Sequence, residues 1–167
     1  MSTPIQPKKN FKEISTHDFV RVMENEDTQQ KGLFALIDFQ ENEAICNFSA
    51  KTIFTEPNYL SIQVSNNKHI SLFPEFLQYT NHSCDPNVFF DTLTMCLIAI
   101  KKIYAKDELC FFYPSTEIMM AEPFNCNCGA ENCLQEIKGA LLLSEAVLKC
   151  YQINEFVKQS ILKSSQQ

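Results

Sequence analysis

Three cysteines within eight residues, Cys126-x-Cys128-x4-Cys133, carry the strongest chemical signal in this chain. They lie among Asn125, Asn127, Gly129, Glu131 and Asn132, which is loop composition, so burial as small hydrophobes explains them poorly. Thiols at this spacing suit tetrahedral zinc, which needs a fourth ligand. Another soft donor lies about forty residues earlier, in Asn81-His82-Ser83-Cys84-Asp85-Pro86-Asn87, a polar, proline-fixed turn. Taken alone, an Asn-His pair is most often a capped turn. Between the two segments runs Glu108-Leu109-Cys110-Phe111-Phe112-Tyr113, an apolar stretch ending in a phenol, ordinarily a strand-end tyrosine. Cys46, Cys96, Cys110 and Cys150 sit in apolar strand or helix contexts and read as core.

These groups need a scaffold, and the pattern around them is mainly β. Gly32 to Ile37, Ala44 to Phe48 and Lys51 to Thr55 are apolar or β-branched pieces. Tyr59 to Val64 alternates at period two, and Lys68 to Leu72 reads as its hairpin partner across Ser65-Asn66-Asn67. Val88 to Phe90, Met95 to Ile103 and Glu108 to Tyr113 are further strands. With three glycines in the chain, Asn42 and Asp107 are expected at turn positions that often hold glycine. Two segments read differently. His17 to Asn25 reads as a short helix with Thr16 as its N-cap, and residues 140–163 as one or two amphipathic helices, with Leu143, Val147, Cys150 and Tyr151 on one face.

The bulk numbers fit one domain with a core of its own: 167 residues, 45% hydrophobic and 20% charged. No segment is long and apolar enough for a membrane span, and residues 1–9 carry no apolar signal core, so an intracellular protein, cytoplasmic or nuclear, is expected. A net charge of −6 argues against nucleic-acid binding through a basic surface and favours a basic partner such as a lysine-rich peptide.

The Asn81–Asn87 motif, the Glu108–Tyr113 run and the cysteine triplet together resemble the SET-domain protein lysine methyltransferases with a post-SET zinc segment, and the chain looks like a small stand-alone member. The resemblance covers about residues 30–139. It implies a β-clip fold of small sheets with a pseudoknot, short helices and a C-terminal helical tail. It divides the chain into a flexible tail (1–10), a SET domain (11–124), a post-SET zinc segment (125–139) and a helical extension (140–167). It implies zinc on Cys84, Cys126, Cys128 and Cys133. It implies S-adenosylmethionine held by Lys31, Gly32, Leu33, Asn81, His82, Tyr113 and Leu134, with Leu134 over the adenine. It makes Tyr113 the catalytic residue and Phe111 a wall of the substrate channel, where phenylalanine leaves room for higher methylation states. The implied activity is methyl transfer to a lysine side chain of a protein or peptide, a histone being one candidate. Two positions depart from the family pattern: Gln30 replaces the first glycine of a Gly-x-Gly loop, and Gln78 stands where many relatives have arginine. They favour an alternative, a catalytically weak module that binds cofactor or peptide.

Overall fold

The structure, a computed structural model, describes residues 10–165. Most of the tail expected at 1–10 lies outside them. Short segments of alternating burial give strands β1 (Phe11–Thr16), β2 (Val20–Asn25), β3 (Lys31–Ala35), β4 (Ala44–Asn47), β5 (Ser49–Phe54), β6 (Ser61–Ser65) and β7 (Lys68–Phe73). After them come β8 (Asn81–His82), β9 (Val88–Asp91), β10 (Cys96–Ala99), β11 (Cys110–Phe111), β12 (Phe124–Asn125) and β13 (Glu136–Ile137). They form three three-stranded sheets, β1-β2-β3, β4-β10-β9 and β5-β7-β6, and two small pairs, β8/β11 and β12/β13. The inner faces of the three sheets share one core that includes Val20, Val22, Leu33, Ile70, Phe90, Leu97 and Leu109. This mainly β arrangement of small sheets is the expected fold class, and β6 pairs with β7 as the alternation predicts.

Several expectations give way. His17 to Asn25 is not a helix: Val20 and Val22 are buried while Arg21 and Met23 are half-exposed, a period-two pattern that only a strand can satisfy. β2 pairs on one side with β1, which the sequence reading missed, and on the other with β3. Thr16 caps nothing; its hydroxyl donates to Glu13 Oε1 at 2.6 Å. Asn42 is left-handed (φ 67°) as expected, but at the later turn Lys106 takes that conformation (φ 82°), while the Asp107 carboxylate accepts from the Tyr104 amide at 2.9 Å. The strand expected to reach Tyr113 is only two residues long, and Tyr113 opens the 3-10 turn Tyr113–Ser115. Residues 140–163 break into the 3-10 turn Ala140–Leu142 and helices α1 (Glu145–Leu148) and α2 (Glu155–Ser164). Cys150 is exposed there, not core.

A second small core, with Phe112, Ala140, Ile153 and Val157 at its centre, seats these last elements against the body of the protein. Asn154 locks the junction. Its Nδ2 donates to Phe90 O and Ser115 O, both at 2.9 Å, and its Oδ1 accepts from Thr92 N and Oγ1, both at 2.9 Å. Its side chain therefore joins β9, the turn after Tyr113 and the start of α2. Glu117 makes the corresponding tie to β6: its Oε1 accepts from Gln63 N at 2.9 Å, and Gln63 Oε1 accepts from Ile118 N at 3.0 Å. Burial raises the Glu117 carboxyl to about 7, against the lowering effect of its Gln63 and Thr116 donors.

Two outcomes follow from these buried polar groups. Asn154→Ala strands several buried partners and should cost about 2–4 kcal/mol in denaturant unfolding. The folded state also holds the Glu117 proton more tightly than the unfolded chain. This contribution to stability is therefore present at low pH and lost as pH rises from about 4.5 to about 7. Glu117→Gln should flatten the unfolding free energy across that window.

Candidate active site and thiol centre

The chemistry-bearing residues meet where two distant segments run side by side. β8 and β11 pair in parallel, Asn81 with Cys110 and His82 with Phe111. Asn87 closes the motif onto the same strand: its Nδ2 donates to Glu108 O and its Oδ1 accepts from Cys110 N, both at 2.8 Å. Just beyond this ladder, the Tyr113 amide donates to His82 Nδ1 at 3.2 Å. Burial lowers His82 to about 4, so the imidazole is neutral at pH 7. With Nδ1 acting as acceptor, its proton sits on Nε2, which faces Cys84 Sγ at 3.4 Å. The His82 side chain thus links Tyr113 to the thiol centre, leaving only its main chain for a cofactor.

Tyr113 stands in an aromatic cage. Its ring centroid lies 4.7 Å from Phe111, 5.1 Å from His82 and 5.9 Å from Phe124. Burial raises the phenol above its ordinary value, so it stays protonated and serves as a hydrogen-bonding group, not a base. The preceding residue, Phe112, stacks on Tyr151 at 3.7 Å and 5°.

A polar cleft opens beside the ladder, lined by Phe11, Asn25, Gln30, Lys31, Gly32, Asn81 and Glu108. Asn81 Nδ2 donates to Lys31 O and Glu108 Oε1, both at 2.8 Å. A Cβ on residue 32 would lie 2.6 Å from Glu108 Oε1, so only glycine leaves this wall intact. The cleft therefore brings together Lys31, Gly32 and Asn81 of the expected cofactor set. Leu33 is elsewhere: its side chain is fully buried in the main core and its carbonyl accepts from Leu109 N. Phe11, Asn25 and Glu108 were missed. Glu108 had a signal, being next to Leu109 in the motif; β1 and the end of β2 had none.

The four thiols of Cys84, Cys126, Cys128 and Cys133 converge, all sulfurs lying within 4.8 Å of one another, and Cys84 and Cys126 are 4.0 Å apart. Zinc–sulfur bonds of about 2.3 Å require sulfur separations of about 3.8 Å, so a small contraction would seat the ion. β12 and β13 pair across the loop and hold its ends. Leu134 N points at Cys84 Sγ (3.4 Å) and Cys84 N at Cys128 Sγ (3.5 Å). Burial pushes the Cys84 thiol up to about 11. Burial also acts to raise Cys128, but amide donors from Cys84 and Ala130 outweigh it and bring it down to about 6. The residues present fit zinc, because four soft ligands converge with amide donors on two of the sulfurs. Behind them, Tyr151 Oη donates to Cys84 O at 2.9 Å, and Asn132 Nδ2 to the same carbonyl at 2.8 Å. The purified protein should carry about one zinc per chain by metal analysis. Cys128→Ser should lose most of it and loosen residues 124–139 before the three sheets.

The SET domain family model matches residues 30–114. A methyltransferase of Aspergillus flavus, flvH, is 42% identical over 102 residues, covering 60% of this chain and 57% of that protein. A histone-lysine N-methyltransferase of Candida albicans, H3 lysine-36 specific, is 25% identical over 162 residues, 80% of this chain and 19% of the other. The crystal structure of KRYPTONITE with mCHH DNA, an H3(1-15) peptide and SAH superposes with a TM-score of 0.55 at 19% identity, over 73% of this chain and 30% of that one. The chain thus spans a little over half of one curated relative and about a fifth of the other. With its family model, its sheets and its motif segments in agreement, the chain belongs to the SET domain family.

Proposed function

We propose that this protein is an S-adenosylmethionine-dependent protein-lysine N-methyltransferase with a structural zinc, acting on a lysine-containing protein or peptide. One observation carries the reading: Tyr113, held at its amide by His82 and caged by Phe111 and Phe124, lies one ladder away from the cleft that Asn81, Lys31 and Gly32 line. A phenol in an aromatic wall beside a polar cleft is arranged to deliver an amine toward that cleft.

The chemistry then falls to named groups. S-adenosylmethionine, when bound, supplies the activated methyl group. Lys31 and Gly32 offer main-chain groups, Asn81 its amide, His82 its main chain, and Leu134 an apolar cover. A lysine amine has an unperturbed pKa of about 10.4, so in water it is protonated and cannot attack. The rings of Phe111, Phe124 and Tyr113 make a low-dielectric wall that disfavours the ammonium form. The Tyr113 hydroxyl, kept neutral by its own burial, accepts or donates one directional hydrogen bond and so aims the amine's lone pair, positioning being a large part of the rate. Phe111 puts no hydroxyl into this wall, which favours more than one methylation round.

The histone-lysine relative and the H3 peptide in KRYPTONITE support a basic peptide as substrate, as does the net charge of −6. The domain division at 11–124, 125–139 and 140–167, and a nuclear or cytoplasmic location, belong to the same reading. Gln30, in the cleft wall, and Gln78 favour a second one, a module that binds cofactor or peptide with little turnover.

Calorimetry with S-adenosylmethionine, followed by a methyl-transfer assay on a lysine-peptide array, separates the two. Binding with no methylated product would leave only the module. For the enzyme, Tyr113→Phe should lower methyl transfer about 100-fold or more, with cofactor affinity and zinc content close to wild type. The wild-type rate should rise with pH as more lysine amine is deprotonated. Turnover of Tyr113→Phe at the wild-type rate would remove the catalytic assignment.

A further inference from the structure

We propose that Glu108 is a cofactor-binding residue whose carboxylate takes the α-ammonium group of S-adenosylmethionine. The inference rests on the cofactor reading of the cleft given above and adds a charged contact to it.

Glu108 is firmly placed. Residue 108 bridges Phe34 of β3 in antiparallel fashion, its carbonyl accepts from Asn87 Nδ2, and Leu109 N donates to Leu33 O at 2.7 Å. Its side chain lies in the space that glycine leaves at residue 32. A half-buried carboxylate normally has a cation beside it or several donors. Among the described residues Glu108 makes no ion pair, and the one donor to its carboxylate is the neutral amide of Asn81, on Oε1. Lys31, the cation lining the same cleft, is turned to Glu24 (3.9 Å) and to the face of Tyr79 (5.4 Å).

The neighbouring groups select what this carboxylate would bind. Both donor hydrogens of Asn81 are engaged, by Lys31 O and Glu108 Oε1. Its Oδ1 accepts no hydrogen bond among the described residues. Glu108 Oε2, Asn81 Oδ1 and Lys31 O thus give the residues lining this cleft a corner rich in acceptors and carrying one negative charge. Such a corner repels carboxylate and phosphate and suits a group with positive charge and several N–H donors. S-adenosylmethionine carries two positive centres. The sulfonium has no hydrogen to donate, whereas the α-ammonium has three.

Three ligands measured by calorimetry on the zinc-loaded full chain test this. S-adenosylmethionine has both positive centres, S-adenosylhomocysteine keeps only the ammonium, and 5′-methylthioadenosine has neither. Glu108→Gln preserves the shape and an acceptor for Asn81 while removing the charge. The variant should bind the first two ligands about tenfold more weakly and 5′-methylthioadenosine within about twofold of wild type. Glu108→Asp keeps the charge one methylene short and should weaken the first two less than Glu108→Gln does. It gives the same comparison if the glutamine variant melts early. Equal loss for all three ligands, or no loss for any, overturns the assignment. Loss for S-adenosylmethionine alone moves Glu108 to the sulfonium and also overturns it. A wild type that binds none of the three removes the cofactor reading itself, and this inference with it.

Discussion

Two residue pairs side by side, Asn81 with Cys110 and His82 with Phe111, hold this architecture's chemistry together. A parallel ladder this short has almost no stability of its own. It persists because Asn87 brackets it from the motif side and because His82 accepts the next amide along, that of Tyr113. The same imidazole turns its other nitrogen to Cys84. One half-buried, neutral ring therefore fixes the phenol, the ladder and one corner of the thiol centre, and its desolvation is what keeps it neutral.

What the sequence made legible was local. The thiol triplet could be read because its spacing and loop composition have few other uses. The β6–β7 hairpin could be read because alternation and a polar turn lie within a dozen residues. The helix expected at His17–Asn25 failed for the opposite reason. Phe19, Val22 and Met23 also match the i, i+3, i+4 spacing of a helix, and the choice is made by β1 on one side and β3 on the other. The reach of the last strand was overestimated because Phe111 and Phe112 are both buried, Phe111 in the main core and Phe112 in the second one. An unbroken apolar run on the page thus conceals a change of direction in space.

The site was half legible. Asn81, Tyr113 and the four thiols stood in contiguous or closely spaced motifs, and the structure brings them together. Asn154 could not have been picked out, because its partners at Phe90, Thr92 and Ser115 are between 39 and 64 residues away in the chain. Leu33 was assigned to the cofactor because Lys31-Gly32-Leu33 resembles a loop that binds through its main chain. In a strand, adjacent residues face opposite ways, and its side chain goes to the core while Gly32 faces Glu108.

The contacts behind Cys84 also say something about motion. Its carbonyl is shared by Tyr151 and Asn132, one from the last quarter of the chain and one from the cysteine loop, and Asn132 also donates to Tyr151 Oη at 3.2 Å. Tyr151 in turn lies flat on Phe112, next to Tyr113. A loop and a helical segment that share an anchor open together or not at all, so amide exchange should report them as one cooperative unit, distinct from the sheets. Any event that loosens one half, such as oxidation of a thiol, would be felt by the other.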